Sequence, residues 1–300
     1  MRDVSFKVTT LRRATAQAEV VVSPETIGVI ERGEVPKGDP FAVAKVAAVM
    51  AAKKTTEWIP YCHNIPIEHV TVDFRIDAPR LIVTASVTSV AKTGVEMEAM
   101  TAAMAGALNL YDMLKMIDDD MEIVAVRLLQ KTGGKSDFGS LNGWSGGVLT
   151  VSDRASKGEY EDRSGPVLAE GMKQYGAAEV ERAVIPDDAA SIEAHVKTWV
   201  AAGIQLILVT GGTGVGARDV TPEAISPLIE KSLPGVVQAF IQYGQDRKRS
   251  AMFTRCVAGV IGESIVVALP GSPSACGDAL QVLFPHILHL IPMLRGGGHE

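Results

Sequence analysis

Thr210-Gly211-Gly212-Thr213-Gly214-Val215-Gly216-Ala217-Arg218-Asp219-Val220-Thr221-Pro222-Glu223-Ala224 is the stretch whose reading decides the fold of the second half of the chain. It follows an apolar run at residues 206–209, which reads as a buried parallel strand. Four glycines let the backbone leave that strand tightly and bring the N–H groups of residues such as Gly211, Gly212, Thr213 and Gly214 close to an anion. Thr221 reads as an N-cap with Pro222 at the first helical position, so a helix N-terminus points back towards the loop. Arg218 and Asp219 stand where a phosphate and a metal ion could meet.

Outward from this stretch, residues 148–151, 179–184 and 265–269 read as further strands with helical patterns between them. The alternation argues for a mostly parallel sheet covered by helices on both faces, an α/β three-layer domain. In such sheets ligands sit beyond the carboxyl ends of the strands. Ser152-Asp153-Arg154-Ala155-Ser156-Lys157-Gly158, the glycine loop and Leu269-Pro270-Gly271-Ser272-Pro273 all follow strands and converge at that edge. Asp187, in Ile185-Pro186-Asp187-Asp188, joins them if its strand ends near Ile185.

The first half reads differently. Asp39-Pro40 is a helix start, and residues 41–55 carry alanine, valine and methionine at helical spacing. Residues 69–76 alternate as a half-buried strand, residues 81–90 form a second, 96–117 a long helix and 122–130 a closing strand. One helix, two strands, a helix and a strand predict an α+β domain with an antiparallel sheet and helices on one face. The break between the halves falls in a polar, glycine-rich stretch. The expected domains are residues 1–138 and 146–300 with a linker at 139–145, although Phe138 and Trp144 suggest packing on one domain.

A length of 300 residues allows both domains to bury their own cores. The net charge of −6 gives no electrostatic footprint for a nucleic-acid polymer, so anionic ligands must be bound locally. Cys62, Cys256 and Cys276 are too few and scattered for a disulfide framework or a zinc site, which fits a reducing cytoplasm. Neither a signal peptide nor a membrane span is expected.

Asp112 and Lys115 share one face of the long helix and can pair. Such a pair also reads as an ordinary surface salt bridge, but an apolar helix favours a partly desolvated lysine with a lowered pKa, able to act as a base. Lys37-Gly38-Asp39 precedes a helix start, where anions bind and Asp39 can cap. Cys62-His63-Asn64 follows Pro60 in a turn, where a lone histidine is more often structural than catalytic. Lys131-Thr132-Gly133-Gly134-Lys135-Ser136 imitates the end of a P-loop, but Leu129 stands where its first glycine belongs and no helix follows.

The strings of the second half resemble the molybdopterin-binding fold shared by MogA and MoaB, over about residues 145–293, and the Ser-Asp-Arg-Ala-Ser run leans towards MogA. The resemblance implies adenylylation of molybdopterin with ATP and Mg2+. It implies metal and transition-state roles for Asp187 and Asp219, and puts Ser152, Gly211, Gly212, Thr213, Gly214, Arg218, Gly271 and Ser272 against the substrate.

In the first half, Lys37-Gly38-Asp39, Ala51-Ala52-Lys53-Lys54, Ile59-Pro60-Tyr61-Cys62-His63, Lys92-Thr93-Gly94-Val95-Glu96-Met97-Glu98-Ala99, Tyr111-Asp112-Met113-Leu114-Lys115 and the Lys131–Ser136 turn resemble MoaC, cyclic pyranopterin monophosphate synthase. That resemblance implies a ferredoxin-like fold, a hexamer with active sites at subunit interfaces, and a 3′,8-cyclised GTP as substrate. It makes Lys37, His63, Asp112 and Lys115 the catalytic set. Lys53, Cys62, Glu96, Met97, Glu98, Lys131 and Lys135 become substrate-binding residues. Asn64 departs from the family, which usually has proline after Cys-His. The expectation is a bifunctional cytoplasmic enzyme of molybdenum cofactor biosynthesis and a homo-oligomer, hexameric or trimer-based, with other enzymes of that biosynthesis as further candidate partners. The alternative is a second domain that binds molybdopterin, or scaffolds an assembly, without catalysis.

Overall fold

The computed structural model describes residues 1–134 and 141–296, and the chain divides between them into two compact units. The first contains β1 (Thr10–Val21), α1 (Pro24–Glu31), α2 (Pro40–Lys53), α3 (Thr55–Trp58), β2 (His69–Asp77), β3 (Arg80–Ala91), α4 (Glu96–Leu114) and β4 (Glu122–Thr132). Its four strands lie in the order β2-β3-β1-β4, each antiparallel to its neighbour. This is the expected α+β, ferredoxin-like architecture, with one addition. The sequence reading has no strand ahead of the first helix, yet β1 sits inside the sheet. Ala14, Ala16, Ala18 and Val20 are at most 2% exposed, alternating with half-buried Thr15 and Gln17. Alanine contributes so little apolar surface that this period of two is faint in hydropathy.

Small residues also bring the helices down onto that sheet. Asp39 starts α2 by accepting the N–H groups of Phe41 and Ala42, with Pro40 at the first turn. Ala44, Ala48 and Ala52 of α2, and Ala99, Ala102, Ala103 and Ala107 of α4, share one core with the alanines of β1. Gly106 marks the closest approach: a Cβ there would stand 2.8 Å from Cγ1 of Val83. The outer sides of the same helices are apolar too. Val43, Val46 and Met50 of α2 are exposed, as are Met97, Met104 and Leu108 of α4.

The second unit contains β5 (Trp144–Val151), α5 (Asp153–Ser156), α6 (Ser164–Gln174), β6 (Ala177–Ile185), α7 (Ala189–Ala201), β7 (Leu206–Thr210), α8 (Thr221–Ile225), β8 (Lys231–Ser232), α9 (Pro234–Gln245), β9 (Val257–Ile261), β10 (Ser264–Leu269), α10 (Pro273–Leu283) and α11 (Leu290–Leu294). The sheet order is β6-β5-β7-β10-β9-β8. Its first four strands are parallel, and β9 runs antiparallel to both neighbours. The sequence reading includes neither β8 nor β9: two residues are too short for a pattern, and Gly259 interrupts the apolar run of β9. β5 begins at Trp144, within the stretch expected as linker. The indole is 2% exposed and donates to the Tyr175 carbonyl at 3.2 Å, whereas Phe138 lies outside the described residues. Helices press on both faces of β5. A Cβ at Gly146 would meet Met172 of α6 at 2.4 Å, and one at Gly147 would meet Trp199 of α7 at 2.7 Å. Among the described residues no single helix is long and apolar enough to cross a membrane.

Replacing Gly106 with valine forces α4 off Val83, and overpacking of this kind costs about 2 kcal/mol. Urea unfolding followed by circular dichroism is expected to show that loss, and an unchanged midpoint would mean the contact relaxes freely.

Candidate functional site

The expected catalytic residues of the first unit fall into two clusters at opposite ends of α4. At the C-terminal end, the Asp112 carboxylate accepts from Lys37 Nζ at 2.9 Å and from Lys115 Nζ at 2.7 Å. Lys37, on the turn before α2, also donates to the Asp112 carbonyl at 2.7 Å. Hydrogen bonds from Lys115 and then Lys37 hold the Asp112 carboxyl below its ordinary value, and the bond to Asp112 pushes the Lys115 ammonium up. This corrects the expected direction for Lys115. Its side chain is 54% exposed in the single chain, so pairing outweighs desolvation.

At the N-terminal end of α4, Glu98 is 2% exposed and its Oε1 accepts from the Cys62 thiol at 3.4 Å. Its Oε2 is buried without a hydrogen-bond partner among the described residues. Burial pushes the Glu98 carboxyl up, and burial beside Glu98 pushes the Cys62 thiol up to about 11. Glu96 pairs with Lys131 of β4 at 3.2 Å, and Nε2 of His63 lies 2.8 Å from the Arg2 carbonyl. Met97 is exposed, as is Lys53 at the last residue of α2, and Lys135 lies outside the described residues. Arg12 is absent from the expected set. It donates to the Gly133 carbonyl at 2.9 Å, tying the turn after Lys131 to β1. Recognising β1 by its alternation would have drawn attention to it.

Asp112 follows Glu96 by sixteen positions on one continuous helix. At 1.5 Å per residue the two clusters are separated by about 24 Å. Within a single chain they do not meet.

In the second unit the expected residues do meet. The loops after β5, β6, β7 and β10 enclose a cleft of about 530 Å3 lined by Ser152, Asp187, Gly211, Gly212, Thr213, Gly214, Asp219, Gly271 and Ser272. The chain moves from β5 to β6 on one side and then to β7 on the other, so the cleft lies at a topological switch point. Gly211 has φ +106°, and a Cβ there would stand 2.1 Å from the Val151 carbonyl oxygen. Gly271 lets the β10 turn touch the Gly211 backbone, where a Cβ would stand 3.1 Å from its Cα. Gly214 serves a different need, because a Cβ would lie 2.7 Å from Oδ2 of Asp219. Ser152 and Ser272 cap α5 and α10 by accepting from Ala155 and Ala275. The N-terminus of the eleven-residue α10 therefore faces the cleft, where an anion is favoured. Thr221 is not the cap that the sequence suggested. It is the first residue of α8, and its hydroxyl donates to the Gly211 carbonyl at 2.8 Å, tying the loop to the helix.

Charge at the cleft is organised around Asp153 and Asp187. Each carboxylate accepts the other's backbone N–H, at 2.6 Å into Asp187 and 3.1 Å into Asp153. Arg218 grips both oxygens of Asp153, at 2.9 and 3.0 Å, and holds that carboxyl below its ordinary range. Arg218 thus neutralises Asp153, a residue outside the expected ligand set. Asp187 is pushed up by burial and by the charges of Asp153 and Asp219. No group of three or more His, Cys, Asp or Glu side chains among the described residues is arranged to hold a metal ion. A pair of carboxylates beside a cleft fits the way Mg2+ is usually bound, through one or two carboxylates and the substrate's phosphates.

Because the Asp187 carboxyl is raised above its ordinary 3.8, the folded state holds that proton more tightly than the unfolded chain. Its stabilising contribution is complete below that value and lost as pH rises through the raised one. Asp187→Asn keeps an acceptor for the Asp153 N–H and removes the charge. Urea unfolding across about pH 4 to 7 without divalent cations should show the variant gaining on the parent as pH rises. Parallel curves would contradict the assignment.

Known proteins agree with this division. Residues 1–134 match the MoaC family and residues 147–289 the probable molybdopterin binding domain. A molybdenum cofactor biosynthesis bifunctional protein from Chlorobaculum tepidum is 43% identical over 299 residues, covering 100% of this chain and 96% of its own. One from Synechococcus elongatus is 38% identical over 314 residues, covering 100% and 98%. A cyclic pyranopterin monophosphate synthase from a Roseiflexus species is 49% identical over 141 residues, covering 46% of this chain and 89% of its own. With an antiparallel α+β unit carrying the lysine–aspartate cluster, and a parallel-sheet unit carrying the glycine-loop cleft, the chain belongs to the bifunctional molybdenum cofactor biosynthesis proteins, in which a MoaC domain precedes a molybdopterin-binding domain.

Proposed function

We propose that the first unit is a cyclic pyranopterin monophosphate synthase whose active site is shared between two copies of the chain. The separation of the two clusters along α4 carries this reading. A twofold pairing that lays α4 antiparallel to its counterpart brings Lys37, Asp112 and Lys115 of one copy beside Cys62, His63, Glu96 and Glu98 of the other. The exposed Val46, Met50, Met104 and Leu108 supply apolar surface for burial in that pairing. In the shared site, Lys115 and Asp112 exchange protons as the five-membered ring of the 3′,8-cyclised GTP opens, with Lys37 and His63 beside them. Lys53, Lys131 and Lys135 neutralise the triphosphate. A sugar hydroxyl attacks the innermost phosphorus, closing the cyclic phosphate, and pyrophosphate leaves. Cys62 and Met97 line the base, and the buried, unpartnered Oε2 of Glu98 accepts from it.

The second unit adenylylates molybdopterin. The molybdopterin phosphate attacks the α-phosphorus of ATP, and pyrophosphate leaves. Asp187 and Asp219 would hold Mg2+, which supplies charge neutralisation for the phosphates when bound. The backbone of Gly211, Gly212, Thr213 and Gly214 and the start of α10 at Ser272 receive phosphate oxygens. Ser152 and Gly271 border the pterin, and Arg218 keeps Asp153 oriented against Asp187. Fusion places two non-consecutive reactions of one biosynthesis on a single chain, with a homo-oligomer as the working form.

Two experiments separate these assignments. Lys115→Ala and Glu98→Ala chains, each inactive alone, are refolded together and assayed for the cyclic phosphate. Random pairing across a twofold interface rebuilds about a quarter of the sites. Recovery near that level supports sharing, and none would place each site within a single chain. For the second unit, the whole protein is incubated with molybdopterin, Mg2+ and ATP labelled at the α-phosphate. Label should enter a pterin adenylate, with about a 100-fold loss in Asp219→Asn. Tight pterin binding without label in the parent would leave this unit as a carrier.

A further inference from the structure

Arg255 stands behind the glycine loop, outside the cleft and just ahead of β9. Its backbone N–H donates to the Thr213 carbonyl at 2.9 Å, its Nε to the Gly214 carbonyl at 2.7 Å and its Nη2 to the Asp219 carbonyl at 2.6 Å. The remaining Nη1 meets the Glu223 carboxylate of α8, and the Glu223 carboxyl is held low by that contact. One residue therefore takes carbonyls from both ends of the loop and ties them to the helix that follows.

The direction of those carbonyls matters for the cleft. A trans peptide is planar, so a carbonyl turned towards Arg255 turns the next N–H the opposite way. The N–H groups of Gly214 and Val215 are aimed away from Arg255 by this means, and neither has a partner among the described residues. Thr213, Gly214 and Asp219 line the cleft, as do Phe253 and Thr254 just ahead of Arg255, whereas Arg255 itself does not. The Asp219 carboxylate is fixed in the same unit, accepting from the Gly216 N–H at 2.8 Å. No other side chain bridges residues 214 and 219 among the described residues.

We propose that Arg255 is a positioning residue for the second unit's reaction, one that orients the loop's amides and the Asp219 carboxylate without touching substrate. The inference rests on the adenylyl-transfer reading and names a group in it that faces away from the chemistry. Lysine cannot replace it, since a single ammonium does not present the planar fork that reaches two carbonyls and a carboxylate together.

The test uses the whole protein with molybdopterin, Mg2+ and α-labelled ATP. Arg255→Ala is expected to form pterin adenylate about 100-fold more slowly. Its half-saturating Mg2+ concentration should rise about tenfold. The Arg255 side chain is 36% exposed, so methylguanidinium can enter the space left by truncation and should restore part of the rate. Arg255→Lys should recover little. A fall in melting temperature with rate and Mg2+ dependence unchanged overturns the proposal, because that is the behaviour of a purely structural clamp. Should Arg255→Ala not fold, Arg255→Lys carries the same comparison. If the parent itself forms no adenylate, the adenylyl-transfer reading fails instead. Molybdopterin affinity then decides for Arg255: about a tenfold weakening in the variant supports the proposal, and equal affinity overturns it.

Discussion

The length of α4 is the constraint on which the first unit depends. A continuous helix of nineteen residues is a rigid spacer, and it carries charged groups at both ends. Its middle is given over to alanine and glycine, which lets it lie against β3 and α2 at a distance larger side chains would forbid. The same composition leaves an outer stripe of methionine and leucine exposed among the described residues. Packing and chemistry are therefore joined in one element. The face of small residues builds the core, the opposite face leaves apolar side chains exposed, and the ends hold the charged groups apart.

The second unit solves the opposite problem, bringing like charges together. Asp153, Asp187 and Asp219 gather at the carboxyl edge of the parallel sheet, where their mutual repulsion is eased in two ways. Arg218 cancels Asp153 through a two-pronged contact, and the backbone N–H exchange between Asp153 and Asp187 satisfies one oxygen of each. Asp187 remains the costly member, with its carboxyl raised. Regions where a fold tolerates such a cost are commonly those where a ligand later removes it.

Legibility in the sequence followed the strength of local signals. The glycine loop was readable because strand, turn and helix each left a mark within fifteen residues, and its chemistry resides in the backbone. The cap at Thr221 was misread by one position, since a threonine ahead of proline suits either side of a helix start. β1 escaped notice because its inward residues are mostly alanine. Lys115 was assigned the wrong direction because apolar spacing along α4 does not reveal which stripe is covered. Arg255 lay beyond sequence reasoning altogether: it stands 36 residues after Asp219, and only the fold brings its guanidinium to that carbonyl.

The position of β1 within its sheet also governs how the chain can be made. Arg13 pairs with Thr132, so an inner strand begins the unit and one of its neighbours ends it. Closing that span carries a large loop-entropy cost before any ladder contact repays it. During synthesis the helices and the β2–β3 hairpin are complete while β1 still lacks one partner. Until β4 has been made, the backbone groups along that edge of β1 have no strand to pair with. Continued elongation into the second unit moves β4 away from the peptidyl-transferase centre, so translation of the later domain sets the moment at which the earlier one can finish folding.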